Sequence, residues 1–295
     1  DIDGHADFLW QNDSGQAAIW TMNGLTQTTG NFVGGAPGIS WHERASGDFD
    51  GDGAADILWQ NDSGQAAIWL VNGLSVSSGS TIGATPSAGW KVCGSGDFDG
   101  DGFADILWQN TTTNQAAIWL MNGLSVVAGS ALGATPSAGW SIVSSGDFNG
   151  DGKADILWQN TTTGQAAIWL MNGMNVISGA AIGATPGTAW HVRGAGDFNA
   201  DGKSDILWQN DNGQAAVWLM NGLSVTSGGT VGSVPSAGWT VIGAGDYDGD
   251  YKSDILWQNS SGQAAIWLMN GLTVLSAGFA GNNPGPTWHL VGPVG

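Results

Sequence analysis

Cysteine, positive charge and long apolar runs are all scarce in this chain of 295 residues. Cys93 is the single cysteine, so no disulfide framework is available, and without a partner thiol it reads as a small core residue. Lysine and arginine together number six against 25 acidic residues, a formal net charge of −19. Such a surface repels phosphate backbones and anionic headgroups, which argues against nucleic acid or an anionic membrane as partner. No apolar run approaches the roughly 20 residues needed to span a bilayer, so no membrane insertion is expected, and the first residues carry no signal-peptide pattern. No segment sustains a helical period, and helix is expected to be negligible.

Catalytic residue types are equally sparse. An enzyme needs a convergent set of titratable groups, yet Glu43 is the only glutamate and His5, His42, His191 and His289 are the only histidines. The last three each follow a tryptophan, at a position held elsewhere by Lys91, Ser141 and Thr240. That mixture suits an exposed strand position, not a catalytic base. A non-catalytic protein is expected.

Aspartate is abundant, and it is placed. In Asp48-Phe49-Asp50-Gly51-Asp52-Gly53-Ala54-Ala55-Asp56, carboxylates fall at loop positions one, three, five and nine, with glycine at six. Full copies recur with Asp97, Asp99, Asp101 and Asp105; with Asp147, Asn149, Asp151 and Asp155; with Asp197, Asn199, Asp201 and Asp205; and with Asp246, Asp248, Asp250 and Asp254. A shortened copy opens the chain, where Asp1, Asp3 and Asp7 align with Asp50, Asp52 and Asp56. Of 24 aspartates, 21 lie in these loops, so they are ligand supply and not general surface charge. Close carboxylate pairs repel by about 4 kcal/mol at an effective dielectric near 20. A hard cation relieves this, and Ca²⁺, which accepts six to eight oxygens in flexible geometry, suits the loop better than Mg²⁺. The EF-hand is a poor match, because its loop needs a glutamate at position twelve, where this chain has Trp59. Calcium loops are most useful where free Ca²⁺ is high, so a secreted or cell-surface setting is expected.

The loops ride on a longer period. One tryptophan recurs at Trp41, Trp90, Trp140, Trp190, Trp239 and Trp288, at intervals of 49 or 50 residues. A repeat near fifty with four short apolar segments is the pattern of a propeller blade. In one unit, strands are expected at 90–96, 105–110, 115–121 and about 124–132. An Asn122-Gly123 turn should close the last hairpin, and 133–139, with Pro136, should cross to the next blade. Repeats fall at about 41–89, 90–139, 140–189, 190–238 and 239–287, with 1–40 and 288–295 left as unmatched ends. Those ends complement each other: 288–295 is a first strand lacking a loop, and 1–7 is a loop lacking a first strand. Joined, they close a single all-β domain of six four-stranded blades with no free sheet edge. Most of the 18 tryptophans should fill the space between blades.

With Gly-Trp, an apolar strand, Gly-Asp-Phe-Asp-Gly-Asp-Gly-x-x-Asp and Ile-Leu in this order, the chain resembles the FG-GAP and VCBS repeat family, which includes the integrin α propeller and integrin-like fungal propeller lectins. The resemblance implies a calcium-bearing propeller with a tendency toward adhesion or sugar recognition. Departures are local: Tyr251 replaces the glycine at position six, Ala200 the glycine at position four, Asn149 and Asn199 the second aspartate, and Gly295 stands where the leading aspartate of the first loop belongs.

Three functional readings follow. The first is a multivalent carbohydrate-binding module, lectin-like, on the face away from the acidic loops. There the strand-leading tryptophans (Trp41, Trp90, Trp140, Trp190, Trp239, Trp288) would be flanked by the amides of Asn61, Gln65, Asn110, Gln115, Asn160 and Gln165. Aromatic rings with neighbouring amides suit the apolar face and hydroxyls of a glycan, although the same amides could simply brace their own turns. The second is a scaffold for a surface protein ligand, of integrin-like adhesion type. Near-identical loops favour the small repeated ligand. The third is an engineered or recently amplified repeat protein with no selected ligand.

Overall fold

The computed structural model describes residues 3–294 apart from 87, 88, 134, 135 and 237. Twenty-four strands form six antiparallel sheets of four. The first strands are β4 (Trp41–Gly47), β8 (Trp90–Gly96), β12 (Trp140–Gly146), β16 (Trp190–Gly196), β20 (Trp239–Gly245) and β24 (Trp288–Val294). Second strands are β1 (Asp7–Asn12), β5 (Asp56–Asn61), β9 (Asp105–Asn110), β13 (Asp155–Asn160), β17 (Asp205–Asn210) and β21 (Asp254–Asn259). Third strands are β2 (Ala17–Asn23), β6 (Ala66–Asn72), β10 (Ala116–Asn122), β14 (Ala166–Asn172), β18 (Ala215–Asn221) and β22 (Ala264–Asn270). The outer strands are β3 (Thr26–Val33), β7 (Ser75–Ile82), β11 (Ser125–Ala131), β15 (Asn175–Ile182), β19 (Ser224–Val231) and β23 (Thr273–Ala280). Successive first strands touch, and β24 touches β4, so the blades close a ring. β24 pairs with β1, which makes the closing blade from the two ends of the chain as expected.

The second strands are buried on both faces, because a blade has a neighbour on each side. In β9, Ile106 and Trp108 pack with Phe49, Leu58 and Ile68 of the preceding blade. Leu107 turns the other way, to Ile156 and Trp158 of the following one. Alternation along one strand therefore serves two seams. Phe49 at loop position two is fully buried, as are Phe98, Phe148, Phe198 and Tyr247. Burial of each such ring contributes roughly 1.5–3 kcal/mol, so the acidic loop also supplies a plug to the seam.

A second device crosses every seam. Gln60 on β5 donates through Nε2 to the Trp90 carbonyl at 3.0 Å and accepts the Val92 amide on Oε1 at 3.1 Å. Gln109, Gln159, Gln209 and Gln258 make the same pair of bonds to the next first strand. Gln11 makes it to Trp41 and Glu43. A primary amide carries a donor and an acceptor like a peptide group, so each glutamine stands in for a strand that the neighbouring blade does not have.

Two local expectations need adjusting. The third strand runs from Ala116 to Asn122, and Asn122 pairs with Ser125, so the central turn residues are Gly123-Leu124, not Asn122-Gly123. Gly123 has φ of +57° and Leu124 is not left-handed, which fits a turn with glycine in its first central position. Residues 134 and 135 of the crossing at 133–139 lie outside the described residues. Of the tryptophans, the second-strand set (Trp10, Trp59, Trp108, Trp158, Trp208, Trp257) is fully buried, while the strand-leading and third-strand sets are half-buried. Cys93 is half-buried and lines the centre of the ring, and burial pushes its thiol up to about 11.

Glu43 breaks the core pattern. It is buried, neither carboxyl oxygen has a hydrogen-bond partner, and the equivalent positions carry Val92, Ile142, Val192, Val241 and Leu290. Burial holds its carboxyl well above the usual range. The folded chain thus keeps a proton that the unfolded chain releases above about pH 4.3, and stability falls as pH rises from there. Glu43→Val should stabilise by about 1–3 kcal/mol near pH 4 and by more at pH 8. Urea unfolding at the two pH values checks this; an equal gain at both would contradict a protonated buried acid.

Candidate metal loops and the opposite face

Each acidic loop connects a first strand to a second. Its leading aspartate folds the backbone around itself: Asp48 Oδ1 accepts the Gly51 amide at 2.7 Å and Oδ2 the Gly53 amide at 2.9 Å. The position-nine aspartate is a buried brace. Asp56 accepts the Phe49 amide on Oδ2 at 2.9 Å and the Val71 amide on Oδ1 at 2.8 Å. Asp105, Asp155, Asp205 and Asp254 repeat both bonds. Burial raises all five to about 7, against the lowering effect of those amides. The loop also reaches the next blade, where the Asp97 carbonyl accepts the Ala154 amide at 2.6 Å and the Phe98 carbonyl the Gly173 amide at 2.7 Å.

Among the described residues, three loops gather carboxylate oxygens within 4.8 Å of one another: Asp48, Asp50 and Asp56; Asp97, Asp99 and Asp101; Asp246, Asp248 and Asp250. In two of them a position-three oxygen, Asp99 Oδ1 and Asp248 Oδ1, is buried without a hydrogen-bond partner. An orphaned carboxylate oxygen beside two more carboxylates is the donor set of a hard divalent cation, and the residues fit Ca²⁺. In the other two full loops the amide of Asn149 or Asn199 donates to Asp151 or Asp201 at 3.1 and 3.4 Å, so one charge is replaced by an internal bond. In the first loop Asp1 lies outside the described residues, Asp3 accepts the His5 amide at 2.9 Å, and Asp7 is buried and accepts the Met22 amide at 2.9 Å.

The far face carries the loops 62–65 and the crossings. Asn61 Oδ1 accepts from the amides of Ser63 and Gln65, and Gln65 bonds the Ala66 and Ile82 carbonyls and the Thr85 hydroxyl. Asn110 and Asn160 bond their own turns, Gln115 reaches the Leu132 carbonyl, and Gln165 matches Gln65. These amides therefore brace loops and crossings. The three aspartates outside the acidic loops pair with histidine: Asp62 with His42 at 2.8 Å, Asp211 with His191 at 2.7 Å and Asp13 with His289 at 2.8 Å.

Two of the strand-leading tryptophans, Trp90 and Trp288, line pockets instead. One of about 200 Å³ is walled by Trp90, Trp108 and Trp119, with Pro86, Gly129 and Ser130 around it. Another of about 350 Å³ uses the equivalent Trp288, Trp20, Pro284, Gly30 and Asn31, and adds Phe32, which stacks on Trp288 at 5.8 Å. Glycine keeps the floor open, since a Cβ on Gly129 would meet Trp119 Cδ1 at 2.6 Å. The indole N–H of Trp108 is buried with no hydrogen-bond partner, as are those of the other five second-strand tryptophans. The remaining four strand-leading residues, Trp41, Trp140, Trp190 and Trp239, occupy the same half-buried strand position, and Trp239 stacks with Phe279 at 6.0 Å.

Loop positions four and six are left-handed, as in Gly51 at +75° and Gly53 at +89°. Ala200 and Tyr251 occupy them at +58° and +64°, a conformation that costs an L-residue about 1–2 kcal/mol. Ala200→Gly and Tyr251→Gly should each stabilise by about 0.5–1 kcal/mol after the added chain entropy of glycine. Thermal unfolding reads this; destabilisation by either change would contradict strain at these positions.

The FG-GAP-like repeat model matches this chain five times, at residues 1–59, 48–108, 97–158, 147–208 and 197–257. Among curated proteins none matches. Among solved structures, a chain of a nidogen/laminin complex is similar at 12% identity with a TM-score of 0.64, covering 98% of this chain and 97% of that one. The Dos1 propeller is similar at 12% identity and a TM-score of 0.51, covering 97% and 69%. Chaetomium thermophilum Raptor matches at 12% and 0.51, covering 95% of this chain and 22% of its own. At that identity these likenesses speak to the fold alone. Five overlapping matches that take in most of the sequence, on a ring of six four-stranded blades, establish that this chain belongs to the FG-GAP-like repeat family.

Proposed function

We propose that this chain is a calcium-stabilised, non-catalytic recognition propeller of the cell exterior that binds carbohydrate at the tryptophan-walled pockets of its blades. One observation carries the sugar reading: the pocket beside Trp90, Trp108 and Trp119 is walled by three indole side chains. Indole faces suit the C–H surface of a pyranose, and the rim residue Ser130 offers a hydroxyl to a sugar hydroxyl. A second pocket, walled by Trp20, Trp288 and Phe32, supports several modest sites, about 4–6 kcal/mol each for dissociation constants from millimolar to tens of micromolar. Repetition around a ring then supplies avidity toward a glycan-coated surface.

A glycan array on the calcium-loaded protein, followed by calorimetric titration, should find more than one sugar site per chain. Ser130→Tyr, at a pocket rim position, should remove one site and leave the affinity of the others unchanged. Sugar binding indifferent to pocket-filling changes would contradict the location. An empty array would favour the second reading, a protein-interaction scaffold, which family membership also supports.

Calcium is the cation that the loop chemistry favours. When bound, it would neutralise the clustered carboxylates of Asp48, Asp97 and Asp246 and their loop partners, which would otherwise repel one another within each loop. Binding confined to the folded state stabilises by roughly 2.7 kcal/mol per site at a hundredfold excess over Kd, so chelation should lower the melting temperature strongly. The position-nine carboxyls near 7 set the pH dependence. Without metal the folded chain holds protons that the unfolded chain releases above about pH 4, so metal-free stability falls as pH rises from 4 to 7. Calcium uptake at pH 6 should therefore release protons, and uptake at pH 8 should not. Calorimetry in two buffers of different ionisation enthalpy measures this; no melting shift with EDTA would contradict the metal reading.

A further inference from the structure

Every first strand carries a β-bulge near its middle. The extra residue is Arg44 in β4, Cys93 in β8, Val143 in β12, Arg193 in β16, Ile242 in β20 and Val291 in β24. A bulge adds a residue that the neighbouring strand does not pair and re-aims its side chain. Here all six line one cavity of about 350 Å³ at the centre of the ring. Its remaining wall is mostly small: glycine, alanine and serine from the same strands.

The charge in this cavity is out of keeping with the rest of the molecule. Arg44 and Arg193 are the only arginines of the chain, and both are here. Among the described residues they are also the only charged ones on its wall. In ring order β4 and β16 are three blades apart, so the two face each other across the centre. Among the described residues neither guanidinium has a hydrogen-bond or ion-pair partner. The carboxylates that act on them at longer range, Asp62 on Arg44 and Asp211 on Arg193, are engaged by His42 and His191. Partial burial works against both guanidinium charges, yet arginine stays protonated in proteins. Two opposed cations with ten N–H donors between them are thus left in a chain whose net charge is −19.

We infer that the central cavity is a binding site for a small doubly charged oxyanion, sulfate-like or a short dicarboxylate, held between Arg44 and Arg193. Guanidinium forks bind such oxygens through paired, charge-assisted hydrogen bonds, and placement on opposite walls favours two negative charges over one. Low-dielectric walls of Val143, Ile242 and Val291 strengthen the attraction. The site is independent of the sugar pockets, which lie on the blades.

Sulfate and succinate are suitable probes, since both remain soluble beside calcium. Calorimetric titration of the calcium-loaded protein should show one site per chain, with acetate at least about tenfold weaker. Malonate and glutarate beside succinate read the span between the forks. Arg44→Gln or Arg193→Gln should each weaken binding about tenfold or more, and the double change should abolish it. Lys91→Ala, away from the cavity wall, should leave it unchanged. Labelling of the wild-type chain with phenylglyoxal gives a readout that needs no variant: both arginines should be modified, and sulfate should protect both together. Absence of binding by either probe, binding that survives the double change, or labelling that sulfate does not slow would each overturn the proposal.

Discussion

The structure depends on one constraint: a four-stranded blade has two apolar faces and cannot bury either alone. Everything distinctive in the repeat answers that need at the seam. Trp108 and Ile106 fill one side of β9 and Leu107 the other. Gln109 reaches across to complete the hydrogen bonding of the next first strand. Phe98 carries the acidic loop's second residue into the same gap, and the loop carbonyls accept amides from the neighbouring blade. Because a seam joins β24 to β4 as well, no blade is left with an open face.

The acidic loops are therefore built into the seams and not hung on the rim. Asp105 is buried and ties the start of its loop to the third strand through Phe98 and Met121. The Asp97 and Phe98 carbonyls bond the following blade directly, so Asp97, Asp99 and Asp101 sit in the stretch of chain that joins two blades. On the opposite face the demands are looser, and there the blades differ: Phe32 and Phe279 stack on the strand-leading tryptophans of two blades, and three carry His–Asp pairs.

Much of this was legible in the sequence. The Trp90-to-Trp140 period, the aspartate spacing and the complementary ends fixed blade number and closure, because each is a pattern repeated around the ring. The turn at Gly123-Leu124 was misplaced by one residue, since Asn-Gly and Gly-Leu turns share the same glycine. Less visible was the work of Gln60 and its equivalents. A polar residue alternating with tryptophan reads as a solvent face until a second blade is known to lie there. Arg44 and Arg193 were also unreadable, because a bulge shifts register by one residue and leaves no mark in composition. Asn61 and Gln65 suited a ligand as well as a turn, and only their bonds show that they brace the turn.

Hydrogen exchange tests the seam account most directly. The amides of Val92, Ile142, Val192, Val241 and Leu290 are five of the six held by glutamine across the seams, and none belongs to an acidic loop. If loop, plug and strap form one unit, stripping calcium should speed exchange at these amides together with the loop amides of Gly51, Gly100 and Gly150. Loops that lose protection while the five strap amides keep theirs would show that the acidic loops are appendages and that the ring stands without them.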